Sequence, residues 1–226
     1  MDLQLTDRVI LVVGGTGTLG RVIVRHLEAE GATVVAASRS GDGGLQLDAR
    51  DDDSVRAGFA SLLAEHGRLD GVVVTAAPAA QTLDAERHAD PEQVLEAVNG
   101  KSLTFLRVAN AALEVMREAG YGRIVGISGQ LARMTGNVTA AVRNAALNVA
   151  AKTLADSVAG TGITVNTVNP GKVVAEPSAE IAAGKPGQST PEDTANLVAF
   201  LVSPLTSGIS GEAIAVGHRL KGVAEL

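Results

Sequence analysis

An aliphatic run from Arg8 to Val13 passes directly into Gly14-Gly15-Thr16-Gly17-Thr18-Leu19-Gly20, and an amphipathic stretch follows from about Leu19 to Glu30. No other feature narrows the choice of fold as much. Gly15, Gly17 and Gly20 satisfy G-x-G-x-x-G. Glycines permit a tight turn and close backbone approach, the helix N-terminus faces a pyrophosphate, and the last glycine lets helix pack on strand. The motif alone is weak, because a glycine-rich strand–helix turn can exist without a ligand. Its position after an N-terminal aliphatic strand and before a helix is the context that a dinucleotide site requires.

The rest of the chain repeats the alternation of aliphatic and amphipathic stretches expected of βαβ units. Strands are predicted at Thr33 to Ser38, Gly44 to Leu47, Leu69 to Ala76, Arg123 to Ser128, Ile163 to Asn169 and Glu212 to Val216. Helices are predicted at Asp51 to Gly67, Asp90 to Ala119 and Asn137 to Ala159, and from Thr190-Pro191-Glu192-Asp193 to Val202. Thr190 is the expected N-cap, with Pro191 at the first helical position. Lys172 to Ser189, with Pro177, Gly184, Pro186 and Gly187, is predicted to be a mobile loop. No linker or repeat divides the 226 residues, so one doubly wound α/β domain of the Rossmann type is expected over 1–226, with about seven parallel strands.

Composition supports that fold. With three Phe, one Tyr and no Trp, the core must consist of Ala, Val, Leu and Ile. Strands covered on both faces have this aliphatic character. A net charge of −6 gives no support to nucleic-acid or anionic-membrane partners. The absence of cysteine excludes disulfides and thiolate chemistry, and the four scattered His residues show no metal-ligand spacing. The first residues lead into a strand without a basic leader, and no apolar run reaches membrane-spanning length, so a cytoplasmic location is expected.

The second strand ends Ala36-Ala37-Ser38-Arg39-Ser40. NAD-specific sites place an acid here for the ribose 2′-hydroxyl, whereas an arginine suits a 2′-phosphate. Arg39, with Ser38 and Ser40 as auxiliary donors, therefore points to NADP(H) over NAD(H). A solvated surface arginine is the alternative.

At this point the chain resembles the short-chain dehydrogenase/reductase family over nearly its whole length. Gly14, Gly17 and Gly20 match that family's G-x-x-G-x-x-G, and Leu47-Asp48 matches the Asp at the adenine ring. Val98-Asn99 matches the helix asparagine that helps relay protons. Gly122-Arg123-Ile124-Val125-Gly126-Ile127-Ser128, Gly162-Ile163-Thr164-Val165-Asn166, Asn169-Pro170-Gly171 and Ile209-Ser210-Gly211-Glu212-Ala213-Ile214 resemble further family segments in order. The resemblance implies cofactor contacts at Gly14, Gly15, Thr16, Gly17, Thr18, Leu19, Gly20, Ser38, Arg39, Asp48, Ala76, Pro170 and Gly171. It also implies a homodimer or homotetramer built on the two long helices.

The departures concern chemistry. Thr75-Ala76-Ala77-Pro78 stands where the family has Asn-Asn-Ala-Gly. The family's Tyr-x-x-x-Lys falls on Ala140 and Asn144, and the second serine of its Ser-Ser pair on Gly129. In the family the tyrosine protonates the developing alkoxide, the lysine lowers its pKa and holds the nicotinamide ribose, and a serine orients the substrate oxygen. Ala140 cannot donate and Asn144 carries no charge. Ser128 and Asn99 are the surviving candidates. Losing general-acid help typically costs about 10²–10⁴ in rate. The alternatives left open are an atypical NADP(H)-dependent oxidoreductase, a non-redox enzyme, or a dinucleotide-binding scaffold or sensor. Gln130, Arg133, Asn137 and Arg143 cluster around the altered site, where an arginine can hold an oxyanion or an anionic small molecule; taken singly, each reads first as a solvated loop or helix residue. Lys172, beside Pro170-Gly171, is a further candidate for contact with cofactor or substrate.

Overall fold

In the computed structural model, which describes residues 1–78 and 82–223, the aliphatic runs become β-strands. They are β1 (Val9–Val13), β2 (Thr33–Ser38), β3 (Leu45–Gln46), β4 (Gly71–Val74), β5 (Gly122–Ile127), β6 (Ile163–Pro170), β7 (Lys172–Val173), β8 (Gln188–Ser189) and β9 (Ala213–Val216). Seven of them form a parallel sheet in the order β3-β2-β1-β4-β5-β6-β9, while β7 and β8 pair only with each other. Chain direction across the sheet reverses between β1 and β4. In open α/β sheets that switch point, at the carboxyl ends of the strands, is where ligands bind.

The helices are α1 (Thr18–Ala29), α2 (Asp52–His66), α3 (Pro91–Val98), α4 (Thr104–Ala119), α5 (Val138–Ser157) and α6 (Pro191–Val202). Alternation along β1 sends Val9, Leu11 and Val13 into a core under α2, α4 and α5, and Ile10 and Val12 into a second core under α1 and α6. Helical spacing matches: Ile23 and Leu27 of α1 and Val198 and Val202 of α6 meet over the second face. The predicted capping box is present at α6, where Thr190 Oγ1 accepts from Asp193 N at 3.0 Å and the Asp193 carboxylate accepts from Thr190 N at 2.8 Å. Arg123, 2% exposed, donates to the carbonyl oxygens of Gly122, Gly162, Ser203 and Pro204 and lies over the Tyr121 ring. It thereby ties the end of α6 to the start of β5.

Two expectations need correction. The stretch Asp90 to Ala119 is not one helix: α3 and α4 are separated by a π-helical turn, Asn99–Leu103. Gly100 lies against the Pro78 ring, where an added Cβ would come within 2.7 Å of Pro78 Cγ, and Thr104 Oγ1 donates to Asn99 O at 3.2 Å. The wider turn accommodates that contact. Lys172 to Ser189 is not wholly loop either, since its ends pair in parallel as β7 and β8 and Val174 N donates to Ser189 O. Among the described residues, no helix is long and apolar enough to cross a membrane.

The packing of α1 on β1 depends on Gly20, where an added Cβ would stand 2.1 Å from Gly14 O. At Gly17 the same atom would clear Gly14 O by 3.3 Å, with φ at −72°. Gly20→Ala is therefore expected to destabilise by about 3 kcal/mol or more, and Gly17→Ala by less than about 1 kcal/mol, in urea unfolding. Equal costs would contradict the close approach.

Candidate functional site

The turn from β1 to α1 sits at the switch point. Gly14 adopts φ +85°, a conformation open mainly to glycine, and its N–H donates to Ala37 O at 2.9 Å. Gly17 N donates back to Gly14 O at 3.0 Å, and Thr75 Oγ1 reaches Val13 O and Gly14 O, each at 3.1 Å. Gly17 and Thr18 are exposed, Thr16 and Leu19 half-buried, and Gly15 and Gly20 buried. No side chain caps α1 and no acid occupies its first turn. Its leading N–H groups and positive dipole end are therefore open to an anion.

The neighbouring loops border that turn. Ser38 Oγ accepts from Gly41 N at 3.1 Å and lies 3.4 Å from Ser40 Oγ, and the Arg39 side chain between them is exposed. Asp48 follows β3, its N–H donating to Ser54 Oγ at 2.9 Å and its carboxylate accepting from Arg50 N at 3.0 Å. Ala76, half-buried after β4, donates its N–H to Val13 O at 3.1 Å. Pro170 ends β6, and Gly171 N donates to Val216 O at 3.2 Å. Gln130 Nε2 joins the same rim through Val216 O at 3.1 Å and His218 O at 3.4 Å, while its Oε1 is buried without a partner. Lys172 is exposed on β7.

Beyond β5 the polar groups are turned inward. Ser128 Oγ donates to Asn144 O at 3.1 Å, and Asn144 Nδ2 donates to Ala140 O at 2.8 Å, one turn back along α5. Asn144 Oδ1 is buried and unpartnered, and a Cβ on Gly129 would meet it at 3.4 Å. Ala140 is buried, with Asn137 Oδ1 accepting from its N–H at 2.8 Å. Asn99 opens the π-turn, and its Oδ1 accepts from Arg107 Nη1 at 3.3 Å.

Sequence reasoning missed Lys101. It lies inside the π-turn, 7% exposed, and its Nζ donates to Ser128 O at 2.9 Å. Burial first, and then the nearby Arg143 guanidinium, bring its ammonium down to about 7. Arg143 is itself 5% exposed; its Nη1 donates to Pro78 O at 3.2 Å and its Nε has no partner. The available signal was a lysine two residues after Asn99, on the stretch that the sequence reads as one long helix. An open groove of about 800 Å³ elsewhere, bordered by Val24, Val34, Ser54 and His66, contains none of the predicted site residues.

Lys101 gives stability a definite pH dependence. Its folded value of about 7 lies below the ~10.4 of an unfolded lysine, so between those values the unfolded chain binds the extra proton. Stability should rise from about pH 7 towards pH 10, with the full penalty present below 7. Melting curves of wild type and Lys101→Met are expected to diverge at low pH and converge on the alkaline side. Parallel profiles would contradict a buried, destabilised ammonium.

A family model described as enoyl-(acyl carrier protein) reductase matches residues 15–218. The 3-oxoacyl-[acyl-carrier-protein] reductase FabG of Escherichia coli (strain K12) is 29% identical over 95% of this chain and 97% of its own length. The BbsC subunit of (2S)-[(R)-hydroxy(phenyl)methyl]succinyl-CoA dehydrogenase from Thauera aromatica is 32% identical over 86% of this chain and 77% of its own. The crystal structure of gox2181 superposes with a TM-score of 0.79 at 22% identity, covering 95% of this chain and 96% of that one. A short-chain dehydrogenase/reductase structure from Burkholderia xenovorans gives 0.76 at 23%, over 94% and 96%. Sheet order, glycine turn and these likenesses agree: the chain belongs to the short-chain dehydrogenase/reductase family.

Proposed function

We propose that this protein binds NADP(H) through the β1–α1 turn and that its chemistry is not the tyrosine–lysine carbonyl reduction of the family. The observation that carries the first half is the uncapped N-terminus of α1, set at the switch point on a turn that only glycine at position 20 permits. Gly17, exposed at the helix entrance, leaves room for a pyrophosphate, and the exposed Arg39 after β2 suits the 2′-phosphate. FabG, among the similar proteins, is named as a reductase, which fits a nicotinamide cofactor. When bound, the cofactor supplies or accepts a hydride.

The second half rests on the residues beyond β5. The methyl of Ala140 has no proton to give to a developing alkoxide, and the Asn144 amide is neutral and donates back to its own helix. Ser128 spends its hydroxyl on α5, and Asn99 Oδ1 accepts from Arg107. These inward-turned groups favour a second reading, a nucleotide-binding scaffold without turnover.

NADPH is expected to bind at least about tenfold more tightly than NADH, as followed by cofactor fluorescence. Arg39→Ala should remove most of that preference while leaving NADH unchanged, the scale of one charge-assisted contact. Gly17→Ala should weaken both dinucleotides. Absence of NADPH binding, or a preference that survives Arg39→Ala, would contradict the assignment. Oxidation of bound NADPH by any of a panel of carbonyl compounds would exclude the scaffold reading. Ala140→Tyr with Asn144→Lys is expected to raise that rate; no gain would mean that the pocket itself has changed.

We also propose assembly as a homodimer or homotetramer through α4 and α5, where Val142 and Val149, seven residues apart on one stripe of α5, are 40% and 66% exposed. Val149→Glu should shift the light-scattering mass to the monomer. An unchanged mass would place the interface elsewhere.

A further inference from the structure

Two cations are buried beside the altered chemistry, and among the described residues no carboxylate pairs with either. Lys101 comes from the π-turn and Arg143 from α5. Lys101 places one proton on Ser128 O and Arg143 places Nη1 on Pro78 O, so among the described residues their partners are neutral carbonyls. The carboxylates on this side are engaged elsewhere. Glu96 pairs with Arg50, which packs beside Gly100, and Asp52 pairs with Arg107 on α4. An ammonium and a guanidinium withdrawn from water without a counter-charge are costly, and such an arrangement is a mark of a functional site.

The free donors have a definite shape. With Nη1 taken, Arg143 retains its Nε–Nη2 edge; Nε is buried without a partner and no described group accepts from Nη2. Two parallel N–H bonds from one guanidinium edge match the two oxygens of a carboxylate. The Ser128 and Pro78 carbonyls accept from the two cations, and the Ser102 hydroxyl donates to Arg143 O at 2.6 Å. The planar Nε–Nη2 edge matches a flat monoanion, and the carbonyl oxygens around it disfavour the higher charge of a phosphate.

We infer that Lys101 and Arg143 form a carboxylate-binding corner in the substrate half of the cleft, which receives a small organic acid. The inference rests on the reading of this cleft as the dinucleotide and substrate site, and it supplies the substrate class. Arg143 gives the bidentate edge and Lys101 the second charge. The Lys101 ammonium, at about 7 in the free protein, is then held by the bound carboxylate. Arg143 is the charged group that acts on it from α5; β5 contributes only the Ser128 carbonyl, and Arg50, Glu96, Arg107 and Asp52 are paired with one another. Binding above neutral pH therefore takes up a proton, and affinity falls by about tenfold per pH unit.

The test uses thermal shift at constant ionic strength, on the protein with and without NADPH, titrated with sodium acetate and sodium propionate. Acetamide serves as the uncharged control and inorganic phosphate as the tetrahedral comparator. Both carboxylates are expected to raise the melting temperature at pH 6.5, with an effect that fades above pH 7 and disappears in Lys101→Met. Arg143→Lys, which keeps the charge without the fork, should weaken binding by about tenfold or more. No carboxylate effect, an equal effect of phosphate on the NADPH-loaded protein, or an effect retained in Lys101→Met would each overturn the inference. NADPH binding without a carboxylate effect sinks this corner alone. A carboxylate effect without NADPH binding sinks the cofactor assignment and leaves the corner standing.

Discussion

The contact between Gly14 O and the Cα of Gly20 sets the distance at which α1 lies on β1, and the cleft follows from that distance. A methyl at position 20 would overlap the carbonyl, so the helix would have to lift away from the sheet. With the hydrogen at Gly20, the first turn of α1 closes onto the carboxyl end of β1, and its open N–H groups lie where β1 and β4 part. Thr75 fastens the next loop to Val13 O and Gly14 O, so the floor of the cleft and its glycine-turn rim are one hydrogen-bonded unit. Ser38, Arg39 and Asp48 then extend from β2 and β3, which take their register from β1.

Much of the fold was legible because β1, β2, β4 and β9 are aliphatic runs ended by glycine or polar residues. Burial on both faces removes the need for polar alternation, and β1 and β4 are apolar and buried along their whole lengths. The break in the helix after Asn99 was not legible. A π-turn keeps helical backbone and needs no special composition, and the Pro78 ring that packs on it at Gly100 is distant in sequence. The β7–β8 pair escaped because two-residue strands carry no periodicity.

The site divides in the same way. Glycine spacing and the position of Arg39 are local properties, so the shape of the phosphate turn could be read from the letters. Ser128 shows the limit: its residue type is visible in the sequence, but the bond from its hydroxyl to Asn144 O depends on how α5 packs against β5. Lys101 is the stronger case. A lone lysine in a helix ordinarily reaches water, and only the junction of the π-turn with β5 reveals that this one is enclosed beside Arg143. Its burial is a tertiary property.

In the proposed reading affinity resides in the adenine–phosphate end, and Ala140 and Asn144 do not hold the nicotinamide end. Calorimetric titration with 2′-phospho-ADP-ribose, which lacks the nicotinamide ring, tests this division most directly. The account predicts that the fragment binds within about threefold of NADP⁺, and that ADP-ribose without the 2′-phosphate binds at least about tenfold more weakly. A fragment that binds far more weakly than the whole dinucleotide would contradict it, because the nicotinamide end would then be carrying the affinity.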